Sequence, residues 1–176
     1  MSQLNPEGII PLLKEFTQAR KRSLQIILIG GLALHFYGRL DRITVDVDAE
    51  VKGDLEGLFH FLKAHHVPAD LSENISGWSV IAMPSGYQER AVTVYEDSLL
   101  VIKTLAPLDF IIAKLRRFTE EDIEDALFVA RKYGIHSEDL RQLTEQVIKS
   151  SIQDTALFLF RNNVQQFLDM IRETDS

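Results

Sequence analysis

The chain of 176 residues contains no cysteine. Disulfides and thiolate metal sites are excluded, and the composition is compatible with a reducing cytoplasm. Long hydrophobic runs are also missing, since no apolar stretch approaches the roughly 20 residues needed to span a bilayer. The opening residues, Met1-Ser2-Gln3-Leu4-Asn5-Pro6-Glu7, show no basic segment followed by an apolar one, so no signal peptide is expected and a cytoplasmic location is. Positive charge is scarce: 19 Lys and Arg stand against 26 Asp and Glu, for a formal net charge of −7. That balance argues against broad nucleic-acid binding, which needs a basic face, and leaves room for a local basic pocket. Repeats and low-complexity tracts are absent too. The 45% apolar and 26% charged residues suit one soluble domain, or a core domain with a small helical appendage.

Local signals organise the chain. Asn5-Pro6-Glu7 combines a capping Asn, Pro at the first helical position and an acid in the first turn. Ile9, Leu12, Leu13 and Phe16 follow at helical spacing, and Arg20-Lys21-Arg22 ends the helix with charge that suits its macrodipole. Residues 24–29 read as a buried strand, 32–37 as a short helix closed by Gly38, and 43–51 as a second strand. Asp54 caps a helix carrying Leu55, Leu58, Phe59 and Leu62, and residues 78–83 read as a third strand. Residues 91–95 and 99–105 form a hairpin across Glu96-Asp97-Ser98. Beyond Pro107 the pattern is helical: a helix over 107–117, a second capped by Thr119 with Asp122 in the capping-box position and ended by Gly134, a third opened by His136 or Ser137, and a fourth over 152–172. The expected class is α/β (α+β): a mixed sheet flanked by helices over 1–105, then a C-terminal helical region over 106–176.

Two features carry chemistry. Asp46 and Asp48 lie in Arg42-Ile43-Thr44-Val45-Asp46-Val47-Asp48, an alternating segment in which residues two apart share a strand face. Carboxylates side by side repel, and a hard divalent cation with oxygen ligands, Mg²⁺ or Mn²⁺, would resolve the conflict. Arg39 and Arg42 offer the alternative of neutralising the pair without a metal. The other feature is the apolar strand that runs into Gly30-Gly31 and then a helix. Glycine lets a ligand approach the backbone closely, and a helix start offers amides to phosphate. A tight turn without a ligand accounts for the same two residues, and neither a P-loop nor a dinucleotide fingerprint follows.

The combination resembles the nucleotidyltransferase fold of the DNA polymerase β type, in which Gly-Gly or Gly-Ser opens a helix and the next strand bears Asp-x-Asp. It is most similar to small bacterial nucleotidyltransferases, including the AbiEii-type abortive-infection toxins. The likeness extends to Lys114-Leu115-Arg116-Arg117, to Asp122-Ile123-Glu124-Asp125 and to the segment from Pro84 to Arg90 ahead of the hairpin, and it covers about residues 26–133. It implies that Asp46 and Asp48 hold Mg²⁺ (or Mn²⁺) against a nucleoside triphosphate, that Gly30 and Gly31 approach the phosphates, that Lys114 pairs with a phosphate, and that Asp122 assists the nucleophile or orients Lys114. Arg42, Thr44 and Arg117 are the further nucleotide contacts it implies. The implied activity is transfer of a nucleotidyl group to a hydroxyl of RNA, protein or a small molecule, with an antitoxin-like partner where a toxin role applies. Read without the likeness, Lys114 and Arg117 also suit a solvated helix face, and Asp122 also suits the capping acid of Thr119.

The resemblance breaks at one place. That fold takes a third carboxylate from a later central strand, and Trp78-Ser79-Val80-Ile81-Ala82-Met83 contains no acid. Glu89 and Asp97 fall in expected turns. The alternative is therefore a nucleotide- or partner-binding module of the same fold, impaired in catalysis. A glycosyltransferase holding a sugar nucleotide through Asp-x-Asp is a further reading, for which the short chain leaves little room. His35 reads as a satisfied structural histidine or a nucleotide contact, His65 and His66 as surface residues, and Trp78 as core. Leu157-Phe158-Leu159-Phe160 with Val164, Phe167, Leu168 and Ile171 would pack the terminal helix onto the domain, and any part left exposed would be a dimer or partner surface.

Overall fold

The computed structural model describes residues 3–174; the first two residues of the opening segment and the last two of the C-terminal region lie outside them. The chain packs as two compact units. The first joins the stretch up to Ile75 to Ala91–Leu105, and the second joins Ser76–Arg90 to the stretch from Ala106 onward.

The first unit holds the whole sheet. Helix α1 (Pro6–Arg20) starts as its cap predicts, with the Asn5 side chain accepting from the Gly8 amide at 2.9 Å. Strand β1 (Leu24–Leu28), the short helix α2 (Gly31–Phe36) and strand β2 (Val47–Lys52) follow. Helix α3 (Leu55–Ala64) is capped by Asp54 through the Gly57 amide at 2.9 Å, and leads to strand β3 (Ala69–Ser72). Strands β4 (Val92–Glu96) and β5 (Leu100–Thr104) form the expected antiparallel hairpin. Its turn is held by Asp97, whose carboxylate accepts from the Leu99 and Leu100 amides and the Tyr95 hydroxyl; those bonds hold its carboxyl below the usual range. The sheet order is β3-β2-β1-β5-β4, with β1 antiparallel to β2 and parallel to β5, and β2 parallel to β3. This is a mixed open sheet, as expected.

Register divides the sheet into two faces. Leu28 stands opposite Ala49, Ile26 opposite Val51 and Ile102, and these residues are buried with Leu13 and Phe16 of α1 and Leu58 and Leu62 of α3 in the core of this unit. The other face carries Gln25, Asp48, Glu50, Asp70, Ser72 and Lys103. Glu50 is buried there and accepts the Ile75 amide at 3.0 Å.

Two strand expectations need correction. Strand β2 begins at Val47, so residues 43–46 are not strand. On one side β1 ends at Leu28 opposite Ala49, and the chain turns away at Gly30. On the other, Val47 donates to the carbonyl of Pro68, which has no N–H to return. The ladder therefore stops on both sides of β2. Residues 78–83 are not strand either. A 3-10 helix (Ile75–Trp78) is followed by irregular chain whose amides are served by serine hydroxyls: Ile81 by Ser79, Ala82 by Ser151 and Met83 by Ser76, at 3.1, 3.0 and 2.9 Å. With those donors satisfied locally, no strand partner is needed. Trp78 is 40% exposed and is not core.

The second unit is helical: α4 (Tyr87–Arg90), α5 (Pro107–Leu115), α6 (Glu120–Tyr133), α7 (Ser137–Ser150) and α8 (Ala156–Thr174). Gly134, at φ 58°, supplies the left-handed residue that ends α6. Arg90 grips the buried Asp109 with two bonds of 2.9 Å, which ties α4 to α5. Leu157, Phe160, Val164, Phe167, Leu168 and Ile171 make the buried stripe of α8, whereas Phe158 and Leu159, expected in it, are exposed, because of four consecutive residues only the first and last share a helix face. Among the described residues no helix is long and apolar enough to cross a membrane.

Candidate functional site

Gly30-Gly31 and the Asp46–Asp48 segment meet at the end of β1. The Ile29 amide donates to the Asp48 carbonyl at 3.0 Å, so the chain enters Gly30 beside Asp48. A Cβ on Gly30 would run into the Asp48 carboxylate, lying 2.8 Å from its Cγ. A Cβ on Gly31 would lie 2.9 Å from the Thr44 Cβ and 3.0 Å from its Oγ1. Each glycine is therefore demanded by a close approach rather than by a tight turn alone. The Arg42 guanidinium carbon lies 3.7 Å from the same Gly31 position, and Arg42 Nη1 donates to the Ile43 carbonyl at 2.7 Å. Gly30, Gly31, Arg42, Thr44 and Asp48 thus form one constellation. Asp46 joins it through Thr44, whose buried hydroxyl donates to Asp46 Oδ1 at 3.1 Å. Asp46 sits in the bend before β2, so a hydrogen bond rather than strand alternation orients its carboxylate.

The other expected site residues, Lys114, Arg117 and Asp122, gather in the second unit with Asp125. Lys114 is buried, and its Nζ reaches Asp122 Oδ1 at 3.3 Å and Asp125 Oδ2 at 3.0 Å. It also lies over the Phe110 ring. Arg117 clamps Asp122 with two bonds, from Nε at 2.8 Å and Nη2 at 2.9 Å. The capping box is present: Asp122 accepts from the Thr119 amide and hydroxyl, and the Thr119 hydroxyl accepts from the Asp122 amide. Burial opposes ionisation of Asp122, but the hydrogen bonds from Arg117 and Thr119 and the charge of Lys114 outweigh it and hold the carboxyl at about 2. A carboxylate so supplied with donors is a weak proton acceptor, and Lys114 would reach a phosphate only by leaving two buried acids.

A further acid stands beside Asp48, on a strand that periodicity overlooked. Strand β3 runs parallel to β2 with Asp70 in register with Asp48, so the two acids are neighbours on one sheet face. Asp70 is exposed. The signal was a faint one: Ala69-Asp70-Leu71-Ser72 alternates for only four residues after Pro68. Asp70 lies on β3, outside the segment 78–83 where a third acid was sought.

The family described as "Nucleotidyltransferase of unknown function" (DUF6036) matches residues 8–172. The chain belongs to this nucleotidyltransferase family. No curated protein and no solved structure matches it. The family match spans nearly the whole chain, whereas the likeness read from motifs ended near residue 133, so the C-terminal helices belong to the family's extent as well.

Whether a nucleotidyltransferase metal fits depends on the donor set. Among the described residues no three His, Cys, Asp or Glu side chains converge on a point where they could cage a metal. Mg²⁺ does not require such a cage, because it keeps waters and is bound through one or two carboxylates plus substrate phosphates. Asp46 and Asp48 fit a cation that arrives with a nucleotide; they do not fit one held by protein alone. His35 departs from expectation in one respect: it is buried, but its Nε2 has no hydrogen-bond partner, so its ring is not satisfied.

Proposed function

We propose that the chain is a Mg²⁺-dependent (or Mn²⁺-dependent) enzyme that transfers a nucleotidyl group from a nucleoside triphosphate to a hydroxyl of RNA, protein or a small molecule. The observation that carries this reading is the close approach of Gly30 to Asp48, where a missing Cβ makes room for the carboxylate. Asp46 and Asp48 hold the cation of the bound nucleotide. Gly30 and Gly31 leave room for the Asp48 carboxylate and the Thr44 side chain, and Arg42 adds positive charge beside Gly31. When bound, the cation neutralises charge at the α-phosphate and on departing pyrophosphate. Asp70, in register with Asp48, takes the proton of the attacking hydroxyl as the new P–O bond forms and the bond to pyrophosphate breaks.

The test is incubation with each α-labelled nucleoside triphosphate, Mg²⁺ or Mn²⁺, and a mixture of cellular RNA and protein. Label should move to an acceptor with the wild-type chain and not with Asp46→Ala. Asp70→Asn should retain nucleotide binding and lose most transfer. Unchanged Mg-nucleotide binding in both Asp46→Ala and Asp48→Ala would sink the assignment. The acid-free segment Trp78-Ser79-Val80-Ile81-Ala82-Met83 favours a second reading, a module that binds Mg-nucleotide without turnover. Binding with no label transfer to any acceptor would support it. The AbiEii-type likeness adds a toxin role with a silencing partner, for which growth arrest on expression, abolished by Asp46→Ala, is the expected result.

A further inference from the structure

Among the described residues, His35 Nε2 is the one buried side-chain polar atom with no hydrogen-bond partner. A buried polar atom normally has a partner, and an orphan needs an explanation. Its place in the fold suggests one. His35 lies one helical turn after Gly31, on the same face of α2, and side chains on a helix lean towards its N-terminus. The face at Gly31 is the one that meets Thr44, whose Oγ1 lies 3.0 Å from where a Gly31 Cβ would be. Helix spacing therefore puts His35 on the side of α2 that meets Thr44.

Thr44 is buried, and its hydroxyl proton is given to Asp46 Oδ1 at 3.1 Å. Asp46 is also the carboxylate assigned to the cation of the bound nucleotide, so this inference rests on the function proposed above. Rotation of the Asp46 carboxylate towards a cation would carry Oδ1 away from that hydroxyl. The Thr44 proton is then left with the Asp46 carbonyl at 3.5 Å, at the edge of hydrogen-bond reach. We propose that His35 is a positioning residue whose Nε2 accepts the Thr44 hydroxyl when Asp46 engages the cation of a bound nucleotide. Thr44 alternates between two acceptors, Asp46 in the free chain and His35 in the loaded one. To accept, Nε2 carries no proton, which is the form of the ring protonated on Nδ1 alone. His35 thereby keeps the released hydroxyl satisfied and lets Asp46 turn to its ligand without stranding a buried donor.

The test uses the full chain with Mg²⁺ and a non-hydrolysable nucleoside triphosphate. Imidazole ¹⁵N spectra, with the His35 signals assigned from their loss in His35→Gln, report the state of Nε2. The Nε2 resonance should move from that of an unbonded acceptor to that of a bonded one on saturation, and should stay unmoved in Thr44→Val at saturation. By calorimetry, His35→Phe should weaken Mg-nucleotide binding about five- to tenfold, the worth of one hydrogen bond, and His35→Gln should restore most of it. A Nε2 resonance that does not respond in the wild-type chain, or responds equally in Thr44→Val, overturns the coupling alone. No binding of Mg-nucleotide by the wild-type chain overturns the proposed function and the coupling with it. Should His35→Phe fail to fold, the spectra of the wild-type chain and Thr44→Val still decide.

Discussion

Asp122 accepts hydrogen bonds from Lys114, Arg117 and Thr119, whereas the partner of the Asp46 carboxylate among the described residues is one neutral hydroxyl, that of Thr44. Both acids come from short motifs of paired Asp residues, and both were candidates for the same chemistry. Their surroundings part them. The Lys114–Asp122–Asp125–Arg117 cluster joins two cations to two buried acids and locks α5 to α6. Its charges are already spent on one another. At Asp46 the partner is that hydroxyl, and two glycines allow the close approach of Asp48 and Thr44. The difference teaches that acids from similar motifs can stand in unlike surroundings, one set buried among the cations of its own helical unit and the other packed against glycine backbone.

Substitutions can break this contrast. Lys114→Met should have the largest effect on stability, because two buried acids lose their cation; a loss of about 3–5 kcal/mol in urea unfolding is expected. A stable Lys114→Met protein that has lost nucleotide binding would instead assign Lys114 to the ligand. Gly30→Ala should rank next, at about 1–3 kcal/mol for overpacking, together with at least tenfold weaker Mg-nucleotide binding as Asp48 is displaced. Full affinity in that variant would separate Gly30 from the site.

The pH dependence sharpens the same comparison. The Asp122 carboxyl is held at about 2 in the folded chain, below its ordinary unfolded value near ~3.9. Its contribution is therefore fully present above about pH 4 and is lost as pH falls towards 2. Asp122→Asn should reduce overall stability and flatten its fall between pH 4 and 2.5, measured by chemical unfolding. An equally steep fall in that variant would show that other carboxylates govern acid unfolding. The smallest effect on stability belongs to Asp46→Ala, within about 0.5 kcal/mol of the wild type, because one hydrogen bond to a neutral hydroxyl is at stake. Mg-nucleotide binding should nonetheless vanish. Large destabilisation by Asp46→Ala would make the site as structural as the Lys114 cluster.

Much of the fold was legible because its signals are local. The caps at Asn5, Asp54 and Thr119, the stop at Gly134 and the hairpin turn at Asp97 all depend on residues a few positions apart, and each occurs where it was read. The expected strand at 78–83 failed because serine hydroxyls, one of them from Ser151, take the amides that a sheet partner would have taken. Strand β3 was missed because four mostly polar residues show too little periodicity, and its place is set by pairing with β2.

By itself the sequence determined the α+β class, the capped helix starts at Asn5, Asp54 and Thr119 though not that of α8, which begins at Ala156 rather than 152, and the association of Gly30-Gly31 with the Asp46–Asp48 segment. These rest on steric and hydrogen-bonding rules that act over a turn or two of chain. Only the tertiary structure decided which acids stand together and which are already paired. Asp70 became the neighbour of Asp48 through strand register, Lys114 was claimed by two aspartates of the next helix, and His35 was buried without a partner for its ring. Whether a charged side chain is available to a ligand depends on its neighbours in space, and chain-distant packing selects those neighbours.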